Sequence, residues 1–410
     1  MLKRLKLSSL IATSAIVAVI AGGCSYGPAK TEQQSWSATI KQLCQDPADN
    51  PFPSDFPRGI SCDLGATVPF GIARDTNDDG TIVVGISSST NGTHAFRWQR
   101  TGPGTGPGTG TMQDLGTLSP GGTSTAYGVN DDGTIVVGSS DSATGIHAFR
   151  WQRTGPGTGT MQDLGTLSLG IKSTAYGVND DGTVVAGWSD SANGKRAFRW
   201  QRTGPGTGTM QDLGTLPRGT ESEAYDVNND GTVVVGWSDS ANGKRAFRWQ
   251  RTGPGTGTMQ DLGTLPQGTR SEATGVNDDG TVVVGWSDSA NGRRAFRWQR
   301  TGPDTGTMQD LGTLPQWTRS EASDVNDDGT VVVGLISGAY GVMHAFRWTA
   351  SGGMQDLGTL SQGWGSIAYG VNSDGTVVTG ESVSVEPGRF RWHPFRWTAS
   401  GGMQDLGNLP

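Results

Sequence analysis

One block of about 49 residues recurs seven times along this chain of 410 residues. The stretch KRAFRWQRTGPGTGTMQDLGTLP begins at Lys195 and again at Lys244, and a close copy begins at Arg293. The Trp of the repeated FRW triplet stands at positions 98, 151, 200, 249, 298, 348 and 397. Such a period, with several short strands per unit, is typical of propeller blades, because solenoid coils of one or two strands are shorter. A chain built of copies also has few singular residues to carry chemistry.

Each unit contains four strand-like segments separated by turn residues. In one unit these are, in order, TMQDLGTL, Ser222–Asn228, Thr232–Ser238 and, as the fourth strand, the KRAFRWQR segment from Lys244. The turns carry Gly, Asn, Asp or Pro, such as Gly231 in NDG, where unusual backbone angles are needed. With 66 Gly residues and 17% charged residues, the composition favours many short strands over helices or disorder.

The polarity of the third and fourth segments distinguishes between architectures. TVVVGW is apolar on both faces, which indicates a strand covered on two sides, as neighbouring blades cover the middle strands of a propeller. RAFRW alternates instead, with Phe198 and Trp200 sharing one face. We therefore predict an all-β fold in which residues 60–410 form a seven-bladed β-propeller of four-stranded repeats. An open β-solenoid is the alternative.

The number of blades follows from the repeated hairpin VN-x-DG. Its Asn stands at positions 77, 130, 179, 228, 277, 326 and 372, and the first copy has Thr76 in place of Val. The DLG triplet occurs eight times, from Asp63 to Asp405. One terminal copy could therefore complete a blade begun at the other end of the chain and lock a monomeric ring.

The first residues have the pattern of a secretion signal. A basic MLKRLK precedes the apolar run LIATSAIVAVI, which is too short to span a bilayer. The AGGC that follows is similar to a bacterial lipoprotein cleavage site, although Ala21 stands where Leu is usual. We expect residues 1–23 to be a signal peptide that is removed, and Cys24 to carry lipid. Secretion without lipid is the alternative.

Two cysteines remain if Cys24 is lipidated. Residues 24–59 are rich in Pro and Asp and indicate an extended linker. Outside the cytoplasm we expect Cys44 and Cys62 to form a disulfide, which stabilises by ~3 kcal/mol in the chain-entropy picture. Two free thiols are the alternative.

Charge excludes some partners. The formal net charge is −7, and loss of residues 1–23 removes three positive charges and no negative one, which leaves −10. An acidic surface repels nucleic acid and anionic lipid faces. We therefore expect no nucleic-acid partner, membrane attachment through the lipid alone, and a location in the cell envelope or outside the cell. No motif indicates a cofactor.

The repeat resembles a known family. HAFRW at His94 and His147, with MQDLGTL and AYGVNDDGT, is similar to the HAF-repeat family of bacterial extracellular proteins over roughly residues 60–410. This resemblance implies an extracellular location and a repeat architecture, and it implies no particular activity. The His recurs at His344, whereas Arg replaces it in three units, at Arg196, Arg245 and Arg294.

Several polar motifs fit structural roles better than catalytic ones. The NDDG turns lack the bidentate Glu and ligand spacing of a calcium loop, so we interpret them as hairpin turns. Asp212 and Arg199 lie on strands joined by one loop and are expected to pair across that hairpin. No spacing typical of a metal site links the four histidines, His94, His147, His344 and His393, and neither a G-x-S-x-G elbow nor a phosphate loop is present.

Three tryptophans are candidates for ligand binding. Trp188, Trp237 and Trp286 each end a TVVxGW strand beside the Asp and Asn of the SDSANG loop. An aromatic ring beside such side chains can stack a sugar, and three equal copies would suit a polysaccharide through avidity. Packing between blades is the alternative.

The combined reading is a surface-anchored, non-enzymatic propeller that binds or scaffolds a polysaccharide or a surface protein. An alternative is a glycan-directed enzyme that uses the divergent seventh unit, where Glu381 and Glu386 could act as a carboxylate pair. A purely structural envelope protein is a third possibility.

Overall fold

The computed structural model describes residues 70–102, 110–338, 341–360, 363–386 and 389–409. Within these ranges the chain is all-β, with 28 strands in seven four-stranded antiparallel sheets and no helix. Every sheet takes its four strands from consecutive stretches of chain, in the order first, second, third and fourth. The propeller belongs to a compact unit formed by Val68–Ser384 and Arg391–Pro410.

The strand bounds repeat from blade to blade. Blades 1 to 4 contain, in chain order, Gly71–Thr76 (β1), Ile82–Ser89 (β2), Gly92–Arg100 (β3), Gly110–Asp114 (β4); Ser124–Val129 (β5), Ile135–Asp141 (β6), Ile146–Gly155 (β7), Thr158–Gly165 (β8); Ser173–Val178 (β9), Val184–Ser191 (β10), Gly194–Gly204 (β11), Thr207–Asp212 (β12); and Ser222–Val227 (β13), Val233–Ser240 (β14), Gly243–Gly253 (β15), Thr256–Asp261 (β16). Blades 5 to 7 contain Ser271–Val276 (β17), Val282–Ser289 (β18), Gly292–Arg300 (β19), Gly306–Asp310 (β20); Trp317–Val325 (β21), Val331–Gly338 (β22), Met343–Thr349 (β23), Gly353–Asp356 (β24); and Gly363–Val371 (β25), Val377–Glu386 (β26), Arg389–Thr398 (β27), Gly402–Asp405 (β28). The predicted seven-bladed β-propeller is confirmed.

The valine-rich second strand of each blade is covered on both faces. In blade 4, Val233 and Val235 pack in one cluster with Phe296 of blade 5, while Val234 packs in another with Val184 of blade 3. All three blade-4 valines are fully buried or nearly so. Alternate side chains of one strand therefore face opposite neighbours, which explains why the strand is apolar throughout.

The ring closes between blades 7 and 1 with the contacts that join other neighbours. The first strand β1 lies beside β25, and Leu406 and Leu409 pack on the core of blade 1. Leu409 N–H donates to Ser87 Oγ at 3.0 Å, as Leu216 N–H does to Ser238 Oγ between blades 3 and 4 at 2.9 Å. An open solenoid is therefore excluded.

Among the described residues, no strand is exchanged between blades 1 and 7 to close the ring. The terminal strand β28 pairs with β27 of its own blade, so the DLG copy at Asp405 completes blade 7 and not a blade at the other end. The copy at Asp63, the linker 24–59 and the cysteines Cys24, Cys44 and Cys62 lie outside the described residues. In the part of the chain that is described, no helix has the length and apolarity to cross a membrane.

The predicted pairing of Arg199 with Asp212 is wrong. Asp212 lies opposite Phe198 in the ladder, one residue away from the register that pairing would need. Arg199 is buried and its Nε donates to the carbonyl oxygen of Gly231 in the next blade at 2.9 Å. The same bond joins every consecutive pair of blades, including Arg396 to Gly80 across the closure at 3.2 Å.

Candidate functional site: the central channel

The first strand of each blade lines the central channel. Each of these strands has a bulge in its pairing with the second strand, as between Ala224 and Asp226 of blade 4. A bulge re-aims the residue that it leaves unpaired. The bulged residues are half-buried and differ from blade to blade: they are Arg74, Tyr127, Tyr176, Tyr225, Thr274, Ser323 and Tyr369.

Five of these side chains form a continuous arc, which we call the tyrosine arc: Tyr369, Arg74, Tyr127, Tyr176 and Tyr225. Ring centroids lie 4.9 Å apart for Tyr127 and Tyr176 and 5.3 Å apart for Tyr176 and Tyr225. The Arg74 guanidinium lies 4.6 Å from the ring centroid of Tyr369 and 5.6 Å from that of Tyr127. The bulged residues of blades 5 and 6 are the small Thr274 and Ser323, so the arc is open on the side of these two blades.

Three carboxylates follow directly after the bulge. Asp75, Asp226 and Asp324 each accept a hydrogen bond from a backbone N–H of the next blade at 2.9, 2.9 and 3.0 Å. The other four blades have Gly at this position, and a Cβ at Gly177 would lie 2.9 Å from the backbone of Asp226. Burial raises the pKa of Asp75 to about 7 and of Asp226 to about 6, and it raises the pKa of Asp324 well above its usual range.

Five more carboxylates surround the channel where the first strands end. They are the first Asp of the NDDG turns, and we call them the acidic mouth: Asp78, Asp131, Asp180, Asp278 and Asp327. Blades 4 and 7 have Asn229 and Ser373 instead. Asn229 Nδ2 donates to Asp278 Oδ2 of the neighbouring blade at 3.3 Å.

The carboxylates of the acidic mouth repel one another. Burial and the charges of Asp131, Asp327 and Asp278 raise the pKa of Asp78 to about 7. Burial and a hydrogen bond with Asp131 raise the pKa of Asp180 to about 9, so this pair shares a proton at neutral pH. Negative charge therefore accumulates at this end of the channel.

The sequence predicts the hairpin turns, but it does not predict that their first Asp residues converge at the channel. The NDDG segments are hairpin turns, as expected: Asn228 Oδ1 accepts the Val233 N–H at 2.7 Å and Asp230 Oδ1 accepts the Thr232 N–H at 2.9 Å. Because the hairpins repeat around an axis, the first Asp of each one points to a common centre. Over the described ranges, no group of three or more His, Cys, Asp or Glu side chains is arranged to hold a metal ion.

The three candidate tryptophans lie at the opposite ends of the blades, and each carries a cation over its ring. Lys195, Lys244 and Arg293 lie 4.0, 3.7 and 3.7 Å from the ring centroids of Trp188, Trp237 and Trp286. Each cation also pairs with a Glu of the next blade, at 3.2, 2.7 and 2.9 Å. Trp237 and Trp286 are buried and Trp188 is half-buried. Sugar stacking on these rings stays a prediction, and it would require the cation to leave the ring.

In the divergent blade 7, Glu381 takes the place of this Trp. It is buried, and its Oε1 accepts a hydrogen bond from Tyr369 OH at 2.6 Å. Burial raises its pKa, although the charge of Arg74 opposes this shift. Glu386 is the last residue of β26.

The His of HAF pairs with the Asp of DLG on the adjacent strand. Nδ1 lies 2.7 to 3.0 Å from a carboxylate oxygen in the four pairs that contain His, namely His94–Asp114, His147–Asp163, His344–Asp356 and His393–Asp405. Arg196 and Arg245 place Nε 4.0 Å from the equivalent carboxylates. At this position His forms a hydrogen bond with the Asp of the adjacent strand, whereas Arg196 and Arg245 form a longer ion pair with it.

No family model and no curated protein matches this sequence. Solved structures match over most of the chain. Puromycin hydrolase is 12% identical with a TM-score of 0.57, covering 84% of this chain and 54% of that one. Prolyl oligopeptidase B from Galerina marginata is 9% identical with a TM-score of 0.55, covering 93% and 56%. Oligogalacturonate lyase from Vibrio parahaemolyticus is 11% identical with a TM-score of 0.50, covering 78% and 90%.

At these identities the likeness shows the propeller fold alone. This chain spans about half the length of the puromycin hydrolase and prolyl oligopeptidase chains. Structures with this fold include enzymes, so the comparison leaves enzymatic activity open. The resemblance to HAF repeats stays a prediction.

Proposed function

We propose that this protein is a binding propeller of the cell envelope whose central channel holds a basic segment of a partner protein. The proposal is supported by the positions at which the repeats differ in sequence. Core positions are nearly identical in all blades, whereas the bulged channel residues change from Arg to Tyr, Thr and Ser. Variation along the channel lining, in a chain whose core positions repeat, is typical of a surface adapted to a ligand.

The chemistry of this lining favours a cation. The carboxylates of the acidic mouth and the three Asp behind them attract positive charge at one end of the channel. The ring faces of the tyrosine arc can also bind a cation, because the Arg74 guanidinium already lies over the Tyr369 ring. The small side chains of Thr274 and Ser323 leave one side of the arc open for a Lys or Arg side chain.

The channel proposal is tested by binding of an oligolysine peptide, with fluorescence anisotropy as the readout. The variant Asp131→Asn, Asp278→Asn, Asp327→Asn removes three charges from the acidic mouth and is expected to lose most of the affinity. A matched control, Asp190→Asn, Asp239→Asn, Asp288→Asn, removes three charges from the second-strand ends of blades 3 to 5. An equal loss of affinity in both variants would show that the peptide responds only to the net charge of the protein. That result would contradict a binding site in the channel.

The proposal places the ring outside the cytoplasm on a lipid at Cys24. The apolar run and the AGGC segment support this location, and a soluble partner would then meet the channel in the envelope. Labelled palmitate tests the anchor: wild type is expected to incorporate label and Cys24→Ser is not. Label in both proteins would contradict lipidation at Cys24.

A further inference from the structure

A serine, a histidine and an aspartate form a hydrogen-bonded chain in blade 7. Ser384 Oγ lies 2.9 Å from His393 Nε2, and His393 Nδ1 lies 2.8 Å from Asp405 Oδ2. Ser384 is on β26, His393 on β27 and Asp405 ends β28, so three adjacent strands hold the three groups. This cluster is at the end of the blade opposite to the acidic mouth.

The direction of the hydrogen bonds follows from the carboxylate. Asp405 can only accept while ionised, so His393 Nδ1 carries the proton and donates it. The neutral imidazole then has a lone pair on Nε2, and the Ser384 hydroxyl must donate its hydrogen there. This is the tautomer in which a histidine removes a proton from a serine.

Asp405 is held in its ionised form. Its Oδ1 accepts the backbone N–H of Gly407 at 2.8 Å, while Oδ2 faces the imidazole. Burial acts to raise the pKa of Asp405, but the hydrogen bonds from His393 and Gly407 outweigh it and lower that pKa. The imidazole is thus oriented by a fixed carboxylate, as a general base requires.

Other blades contain the His–Asp pair without an equally close hydroxyl. In blade 1 the serine at the corresponding position, Ser89, donates instead to the carbonyl oxygen of Gly92 at 3.2 Å. In blade 2 the hydroxyl of Thr144 lies 3.2 Å from His147 Nε2, and in blade 1 His94 Nε2 is buried with no hydrogen-bond partner among the described residues. In blade 7, β26 continues to Glu386 and β27 begins at Arg389, whereas in blade 4 β14 ends at Ser240 and β15 begins at Gly243.

We propose that Ser384 is a nucleophile for acyl transfer from carboxylic esters, with His393 as its general base and Asp405 as a positioning residue. Ser384 and His393 are half-buried, so a small ester can reach the hydroxyl. This activity goes beyond the proposed binding function and uses none of the channel residues.

The reaction balances with water as the second reactant. Ser384 Oγ forms a bond to the carbonyl carbon as its proton moves to His393 Nε2, and the carbonyl π electrons move onto oxygen. Collapse of the tetrahedral intermediate breaks the bond to the alcohol oxygen, which takes the proton from Nε2. Water then attacks the acyl-serine, gives its proton to Nε2 and releases the acid, and Ser384 recovers its hydrogen.

The test is labelling of the full chain by a fluorophosphonate, with mass mapping of the modified peptide, alongside hydrolysis of p-nitrophenyl acetate. Wild type is expected to be labelled at Ser384 and Ser384→Ala to be unlabelled. His393→Gln is expected to slow labelling by about 10²–10⁴-fold, the range for loss of a general base.

Matched variants separate catalysis from folding and from the channel. Ser240→Ala and His147→Gln change equivalent positions of other blades and should leave labelling unchanged. Asp405→Asn should slow labelling and move the ring proton between Nδ1 and Nε2, as ¹⁵N chemical shifts report. Ser384→Ala should keep oligolysine binding, so the two proposals fail separately. An unlabelled wild type, or equal labelling in Ser384→Ala, would overturn the assignment.

Discussion

One arginine in each blade, buried in five blades and half-buried in two, donates a hydrogen bond to the backbone of the next blade. Arg248 is 3% exposed, and its Nε donates to the carbonyl oxygen of Gly280 at 3.0 Å. Burial lowers the pKa of Arg248 to about 10, which leaves it charged at neutral pH. At the residue scale, a charge-assisted hydrogen bond from this arginine joins each pair of neighbouring blades in addition to apolar packing.

We expect Arg248→Ala to lower the free energy of unfolding by about 2 kcal/mol, because it leaves a buried carbonyl oxygen without its charged donor. Urea denaturation measures this. The control Arg251→Ala changes an exposed side chain of the same strand and should stay within about 0.5 kcal/mol of wild type. Equal stability of the two variants would contradict the role of the buried arginine.

The hairpin between the first and second strands of each blade packs against the preceding blade and also faces the channel. Its Gly231 has a φ of +69°, and a Cβ there would lie 2.5 Å from Val184 Cγ2 of the preceding blade. The turn thus needs Gly for its backbone angle and for a close contact between blades.

Two glycine substitutions separate these requirements. Gly255 has a φ of +67°, and no atom lies within 4 Å of the position that a Cβ would take there. Gly255→Ala should therefore cost only the left-handed backbone penalty of about 1–2 kcal/mol. Gly231→Ala should cost clearly more, because Val184 must also move. Thermal unfolding of both variants provides the comparison, and equal melting temperatures would show that the contact between blades is unimportant.

The elements could be predicted from the sequence because each depends on local patterns. The predicted strand Ser222–Asn228 is one residue longer than β13, and the valine run indicates cover on both faces. The MQDLG strand, predicted to begin each unit, instead ends each blade as its fourth strand. The register between third and fourth strands was not predictable from the residue types, so Arg199 was paired with the wrong partner.

The candidate sites depend on contacts between distant units. The acidic mouth forms because five hairpins meet at one axis, which no single hairpin reveals. Ser384, His393 and Asp405 follow no known spacing, and they meet because they lie on three adjacent strands of blade 7. The repeated His–Asp pair was the one sequence signal that could have indicated them.

At the scale of the whole molecule, the acidic channel makes stability depend on pH. The pKa values of Asp75, Asp78, Asp180 and Asp278 are raised to between about 6 and 9, mainly by burial. A carboxyl with a raised pKa in the folded state keeps its proton to higher pH than in the unfolded chain. Its stabilising contribution is present in acid and is lost as pH rises from about 4 through these values.

We therefore expect a higher melting temperature at pH 5 than at pH 9. Calorimetry at both values measures the difference. The variant Asp131→Asn, Asp180→Asn removes the pair that shares a proton and should reduce this difference by raising stability at pH 9. A melting temperature that is higher at pH 9 would contradict the convergence of these carboxyls.

Every proposal for the channel depends on a closed ring, and the distance between blades 1 and 7 tests that most directly. Spin labels at equivalent turn residues, Thr81 with Thr376 and Thr81 with Thr134, are compared by pulsed electron paramagnetic resonance after replacement of the native cysteines. The closed ring predicts the same distance for blades 1 and 7 as for the neighbouring blades 1 and 2. A distance several times longer for blades 1 and 7 would show an open array and contradict the propeller.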